Sequence, residues 1–204
     1  MPHGHPDKPS GLNNLGNSFR ARFERLGELS DLEHAISSLR EANDLTPHCH
    51  SHKPGMLNNL GISLITRFQR LGELSDLEYA ISTHREAVDL TPHGHPDKPS
   101  RLNNLGSSFI TRFERLGELS DIEHAISTHR EAVDLTPRGH PDKPSGLNNL
   151  GLSFRARFER LGELNDLEHA ISTLREALRD LEDAISTHRE AVHLTPYGHP
   201  DKPS

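Results

Sequence analysis

The sequence predicts an all-α protein, a right-handed superhelical solenoid of stacked antiparallel helical hairpins. Two observations carry that expectation. Leu-Asn-Asn-Leu-Gly begins at Leu12, Leu57, Leu102 and Leu147, always 45 residues apart, and self-similarity at such a period marks small units that touch only their neighbours. Within each unit apolar residues recur every three or four positions, the period of a helix with one buried side. The 204 residues are 32% hydrophobic and include no Trp, so one large core is not expected. The chain is expected to be a single array with repeats at about 10–47, 55–92, 100–137 and 145–196.

The chain opens on a linker, 2–10, copied at 94–100, 139–145 and 198–204. Pro and Gly at this density stop helices and mark joints between units. Helix A of the first unit is expected over 10–26, with Leu12, Leu15, Phe19, Phe23 and Leu26 along one side. Gly16 lies on that side too, where a missing side chain admits another helix, and Gly27 is the stop signal. Helix B begins at a capping box, Ser30 with Glu33, repeated as Ser75/Glu78, Ser120/Glu123 and Asn165/Glu168. Its buried stripe is Leu32, Ala35, Ile36, Leu39, Ala42 and Leu45, and Thr46-Pro47 ends it. One such hairpin cannot cover its own apolar surface, so stacking is required.

The fourth unit differs. Its helix B sequence from Asp166 is followed by a second copy from Asp180, an offset of 14 residues with no Gly or Pro between. Fourteen residues return the apolar side to within about 40° of its start. One elongated helix over 166–194 is therefore expected. Its second half has no helix A of its own to cover Leu181, Ala184, Ile185 and Val192, which form a candidate self-association surface and a possible homodimer contact. The absence of a polar capping helix fits a piece of a longer array.

The pattern Leu102-x-x-Leu105-Gly106-x-x-Phe109, then Ala125, Ala132 and Pro137, resembles the tetratricopeptide repeat (TPR), whose usual period is 34 residues. Longer units with His-Pro-Asp before Leu-Asn-Asn-Leu resemble the kinesin-light-chain type. They are similar to 45-residue fungal arrays found beside caspase-like CHAT or nucleotide-binding domains, which would make this chain a regulatory array of a larger protein. One position departs from the family. The bulky residue four after the first Ala of helix B is Leu39 and Leu174, but His84 and His129 in the middle units, which are expected to pack less tightly.

The resemblance implies a non-enzymatic scaffold whose helices A line a concave groove for a peptide or partner helix. Beside the packing stripe, positions i, i+4 and i+7 of helix A give Asn13, Asn17 and Arg20; Asn58, Ile62 and Ile65; Asn103, Ser107 and Ile110; and Asn148, Leu152 and Arg155. The units are nearly identical elsewhere yet differ here, as a surface tuned to one ligand would. The second Asn of each pair is expected to bridge to the preceding hairpin.

Composition narrows the function further. A net charge of −7 argues against nucleic acid, which needs a basic face. A single cysteine, Cys49, fits a reducing compartment. No apolar run reaches membrane-spanning length and the first residues lack a signal-peptide core; a soluble cytoplasmic protein is expected. The cluster His48-Cys49-His50-Ser51-His52 is a degenerate linker copy without a second ligand cluster, so no metal is assigned. No nucleophile with a base, phosphate loop or isolated carboxylate pair is present, and neither an enzyme nor a cofactor is expected. The arginines of helix A, Arg67 and Arg112 among them, are expected to pair with acidic residues of the next helix.

Overall fold

The computed structural model describes His5 and residues 7–194, without the side chains of His188, Glu190 and 191–194. The linker copy at 198–204 and the side chain of Val192 lie outside the described residues. Among the described residues eight helices follow in order: α1 Lys8–Leu26, α2 Leu29–Leu45, α3 Lys53–Leu71, α4 Leu74–Asp89, α5 Lys98–Leu116, α6 Leu119–Leu135, α7 Lys143–Leu161 and α8 Leu164–Leu194. Odd-numbered helices are the A helices and even-numbered ones the B helices. Each A packs on its own B, and each B packs on the next A. The protein is an all-α stack of helical hairpins.

The hairpin turn is two residues long. Gly27, at φ 76°, takes the left-handed conformation that side chains resist, and its N–H bonds Phe23 O at 2.7 Å. Gly72, Gly117 and Gly162 repeat this geometry. The expected capping boxes do not form. Helix B starts at Leu29, Leu74, Leu119 and Leu164, with extended Glu28, Glu73 and Glu118 at the N-caps of α2, α4 and α6 and no side-chain cap. The short turn carries the chain into the helix before Ser30 is reached. Asp31, in the first turn, is then committed to Arg22. Helix A likewise begins two residues earlier than expected, because Lys-Pro forms its first turn and Pro is preorganised there.

Leu32, Ala35, Leu39, Ala42, Leu57, Leu60 and Leu64 are at most 1% exposed. Leu26 and Leu45, placed in the buried stripes by spacing, are exposed instead, because each lies in the last turn of its helix at the edge of the stack. Leu15 is also exposed, although Leu60, Leu105 and Leu150 at the same place in α3, α5 and α7 are buried. No described helix precedes α1 to cover it. Gly16 receives Leu39: a Cβ there would stand 2.5 Å from Leu39 Cγ.

The two histidine units are packed as closely as the leucine units, contrary to expectation. His84 and His129 are buried. A Cβ on Gly61 would lie 2.3 Å from His84 Nε2, and one on Gly106 would lie 2.4 Å from His129 Nε2. The imidazole has a partner a leucine would not use. Its Nδ1 meets Ser108 Oγ or Ser153 Oγ of the next hairpin at 2.8 Å.

Successive A helices touch one another, whereas successive B helices do not. The stack therefore bends toward the A side, which is the inner face. α8 is one helix of 31 residues, about 46 Å long at 1.5 Å per residue. Among the described residues, no helix is long and apolar enough to cross a membrane.

Candidate functional site

The inner face depends on junctions that fix each A helix against its predecessor. At each joint the linker lysine becomes the first residue of helix A. Lys98 Nζ donates to Val88 O at 2.7 Å and Thr91 O at 3.0 Å, and Lys143 does the same to Val133 O and Thr136 O. Lys53 reaches Asn43 O and Thr46 O. A cation here satisfies carbonyls left over where helix B stops and suits the negative end of its dipole. Thr91 and Thr136 turn their hydroxyls back onto Ala87 O and Ala132 O. His5, His50, His95 and His140 accept the backbone N–H two residues on, at 3.1–3.2 Å, shaping the turn before helix A.

Both members of the Asn-Asn pair take part in a ladder along the inner face. Asn59 Nδ2 donates to Asn13 Oδ1 at 3.0 Å, and Asn104 Nδ2 donates to Asn58 Oδ1 at 2.8 Å. Asn59 and Asn104 therefore reach the preceding hairpin, as the sequence suggested. In both cases the acceptor is the first Asn of that hairpin, a residue expected on the groove strip. Asn13 and Asn58 keep their amide N–H groups beyond this bond.

The strip itself is continuous but uneven. Asn13, Asn17, Arg20, Asn58, Ile62, Ile65, Asn103 and Ile110 are half-buried, while Ser107, Asn148, Leu152 and Arg155 are exposed. Ile65 and Ile110 also pack against the core clusters on either side, so they are not free of the packing stripe. Arg20 pairs with Glu24, and Arg155 pairs with Glu159 at 3.1 Å. Asn17 Oδ1, Arg20 Nε and Asn103 Oδ1 are buried without a hydrogen-bond partner. Asn103, Asn104 and Asn149, with His95, Pro137 and His140, line an open cleft of about 650 Å³ at the linkers.

Four other arginines of the A helices are occupied. Arg22, Arg67, Arg112 and Arg157 each bind the first-turn aspartate of their own hairpin through two nitrogens, and those aspartates are buried. These bonds raise all four guanidinium groups above their ordinary value, and the Arg22 contact lowers the Asp31 carboxyl. Arg112 and Arg157 also reach Glu78 and Glu123 of the preceding unit at 2.9 and 2.8 Å. His124 and His169 stack on Phe109 and Phe154, and His34 lies tilted against Phe19, at 5.0–5.2 Å between ring centres.

Cys49 is exposed in the linker between α2 and α3, where His50 and His52 meet edge to face. Among the described residues no group of three or more His, Cys, Asp or Glu is placed to hold a metal. Leu181 and Ile185 on α8 are exposed and Ala184 is half-buried.

No protein-family model and no curated protein matches the sequence. Among solved structures the chain is similar to the nearly identical TPR-like repeats assigned to a P. anserina kinesin light chain. The TM-score is 0.60 at 13% identity, over 88% of this chain and 81% of that one. It is similar also to BtubC (BKLC) from P. vanneervenii, with a TM-score of 0.61 at 18% identity over 96% and 70% of the two chains. The DHF58 filament gives 0.54 at 15% identity over 89% and 96%. At such identities the likeness is one of fold, a TPR-like array of helical hairpins.

Proposed function

We propose that the chain is a non-enzymatic scaffold that holds a peptide or partner helix along the inner face of its A helices. TPR-like arrays generally act as protein-interaction scaffolds, which supports a protein partner. The observation that carries the reading is the buried, unpartnered polar atoms on the strip, Asn17 Oδ1, Arg20 Nε and Asn103 Oδ1. Folded proteins satisfy nearly all such atoms, and a bound peptide backbone supplies both donors and acceptors. The amide N–H groups of Asn13 and Asn58 add further donors. The aliphatic part of the strip, Ile62, Ile65 and Leu152, gives apolar side chains a place to rest.

Selection from a displayed peptide library tests this. The native chain should enrich one sequence class, and replacing Asn58, Asn103 and Asn148 together by Ala should abolish that enrichment while helical circular dichroism is kept. Enrichment that survives the triple variant would move the site elsewhere. A second reading, self-association of the chain, is favoured by the exposed Leu181 and Ile185 on α8.

A further inference from the structure

The uncovered side of α8 reads as a seam. Leu167, Ile171, Leu174, Leu178, Leu181 and Ile185 are spaced alternately four and three residues apart, the heptad pattern of a coiled coil. The internal copy at offset 14 amounts to two whole heptads, so the seam runs through it unbroken. In the three inner junctions this side of helix B lies under the next helix A. Ile36, Ile81 and Ile126 are 3% exposed there, against 42% for Ile171; Val88 and Val133 are 8% and 7% exposed, against 61% for Leu178. α7 occupies the other flank, through Ala170 and Ala177, and covers part of Leu174, which sits over Gly151 and is half-buried; Ile171, Leu178, Leu181 and Ile185 stay exposed.

We infer that the occupant of this seam is α8 of a second copy, running antiparallel, with Leu178 of each chain against Leu181 of the other. This rests on the self-association reading and specifies its direction and register. Charge decides the direction. The residues flanking the seam on its open side are Glu168, Arg175, Glu182 and Arg189, all exposed, while 170, 177 and 184 on the other flank are alanine. In the antiparallel register Arg175 meets Glu182 of the second copy and Glu168 meets Arg189, each pair occurring twice by symmetry. A parallel pair would set every one of these charges against an alanine, leaving nothing to fix the orientation.

Continuity with the inner junctions points the same way. There, a helix A lies antiparallel on the preceding helix B. In the proposed dimer the second half of α8 from one copy takes the place of a helix A on the other. The exchange is mutual and closes as a two-fold dimer. Head-to-tail stacking on the exposed Leu15 face of α1 would lack the lysine clamp. Lys53, Lys98 and Lys143 bind carbonyls freed where α2, α4 and α6 stop, whereas α8 continues through the corresponding place with its carbonyls already bonded.

The test uses the full chain carrying Cys49→Ser. Sedimentation should show a dimer, Leu178→Glu with Leu181→Glu should return monomers of unchanged helicity, and Arg175→Glu should weaken a dimer that added Glu182→Arg restores. A spin label on Asn165→Cys, outside the seam, should report roughly 45 Å between copies from 29 residues of axial separation. A parallel pair would place the labels within about 20 Å of each other, given helix axes 8–10 Å apart; that distance would overturn the direction while leaving self-association standing. Monomers at high concentration would overturn both. Open-ended oligomers dissolved by Leu15→Glu would replace this dimer with head-to-tail stacking. None of these outcomes bears on peptide selection at the inner face.

Discussion

His84 occupies the room that a side chain on Gly61 would need. A Cβ on Gly61 would stand 2.3 Å from His84 Nε2, well inside van der Waals contact, and the ring is held from its far side by Ser108 Oγ of the next hairpin at 2.8 Å. One imidazole thus joins three helices, α3, α4 and α5. Gly61→Ala should therefore cost about 1–3 kcal/mol, read as a lower urea midpoint. Gly55→Ala, where the nearest atom would be 3.9 Å away, should leave the midpoint close to native.

Acid should weaken the middle of the array. Burial lowers both His84 and His129 from 6.5 to about 4, opposed only by carbonyl contacts to Asn58 and Asn103. Ser108 donates to Asn104 O, so His84 Nδ1 carries the ring proton and Nε2 stays bare among buried atoms. The unfolded chain binds protons more readily than the folded one between these values, so stability falls as pH drops from 6.5 toward 4, by about 3 kcal/mol per histidine. Urea midpoints across that range should be flatter in His84→Leu with His129→Leu. Leu39 already fills this place over Gly16, and Ser63, the counterpart of Ser108, has its hydroxyl satisfied by Asn59 O.

The linker lysines should behave as clamps. Lys98→Met removes two bonds to the end of α4 and should cost about 1–3 kcal/mol, with faster amide exchange at the α4–α5 junction. Lys8→Met should cost far less, because Lys8 bonds only the half-exposed Glu41.

The two asparagines of a pair should separate on substitution. Asn104→Ala breaks the bond to Asn58 and should lower stability by about 1 kcal/mol, read by urea unfolding. Asn103 Oδ1 has no partner to lose, so Asn103→Ala should leave the midpoint close to native and weaken peptide binding, read by titration with the selected peptide.

Much of this architecture was legible because burial imposes a period. Leu57, Leu60 and Leu64 announce a buried side in any helix that must pack, and the Leu-Asn-Asn-Leu-Gly repeat gives the stacking unit. Polar roles were less legible because they depend on what lies across a junction. Lys98 reads as a surface residue until the end of α4 is set beside it, and His84 reads as a packing defect until Gly61 and Ser108 enclose it. The capping boxes failed for a local reason, since a two-residue turn brings the helix in one step before Ser30. Spacing along one helix could not reveal that Asn59 already uses the side-chain carbonyl of Asn13.

Each joint in the stack carries its own lysine on two carbonyls, the first two add an asparagine on its counterpart, and none of these fasteners reaches beyond the adjacent hairpin. Whole units can therefore be spliced in or cut out without renegotiating the rest, so the reach of the inner face can be reset in increments of one hairpin. The internal copy at offset 14 in α8 obeys a different rule. It lengthens a single rod, turning material that would have extended the stack into a lever that projects from it.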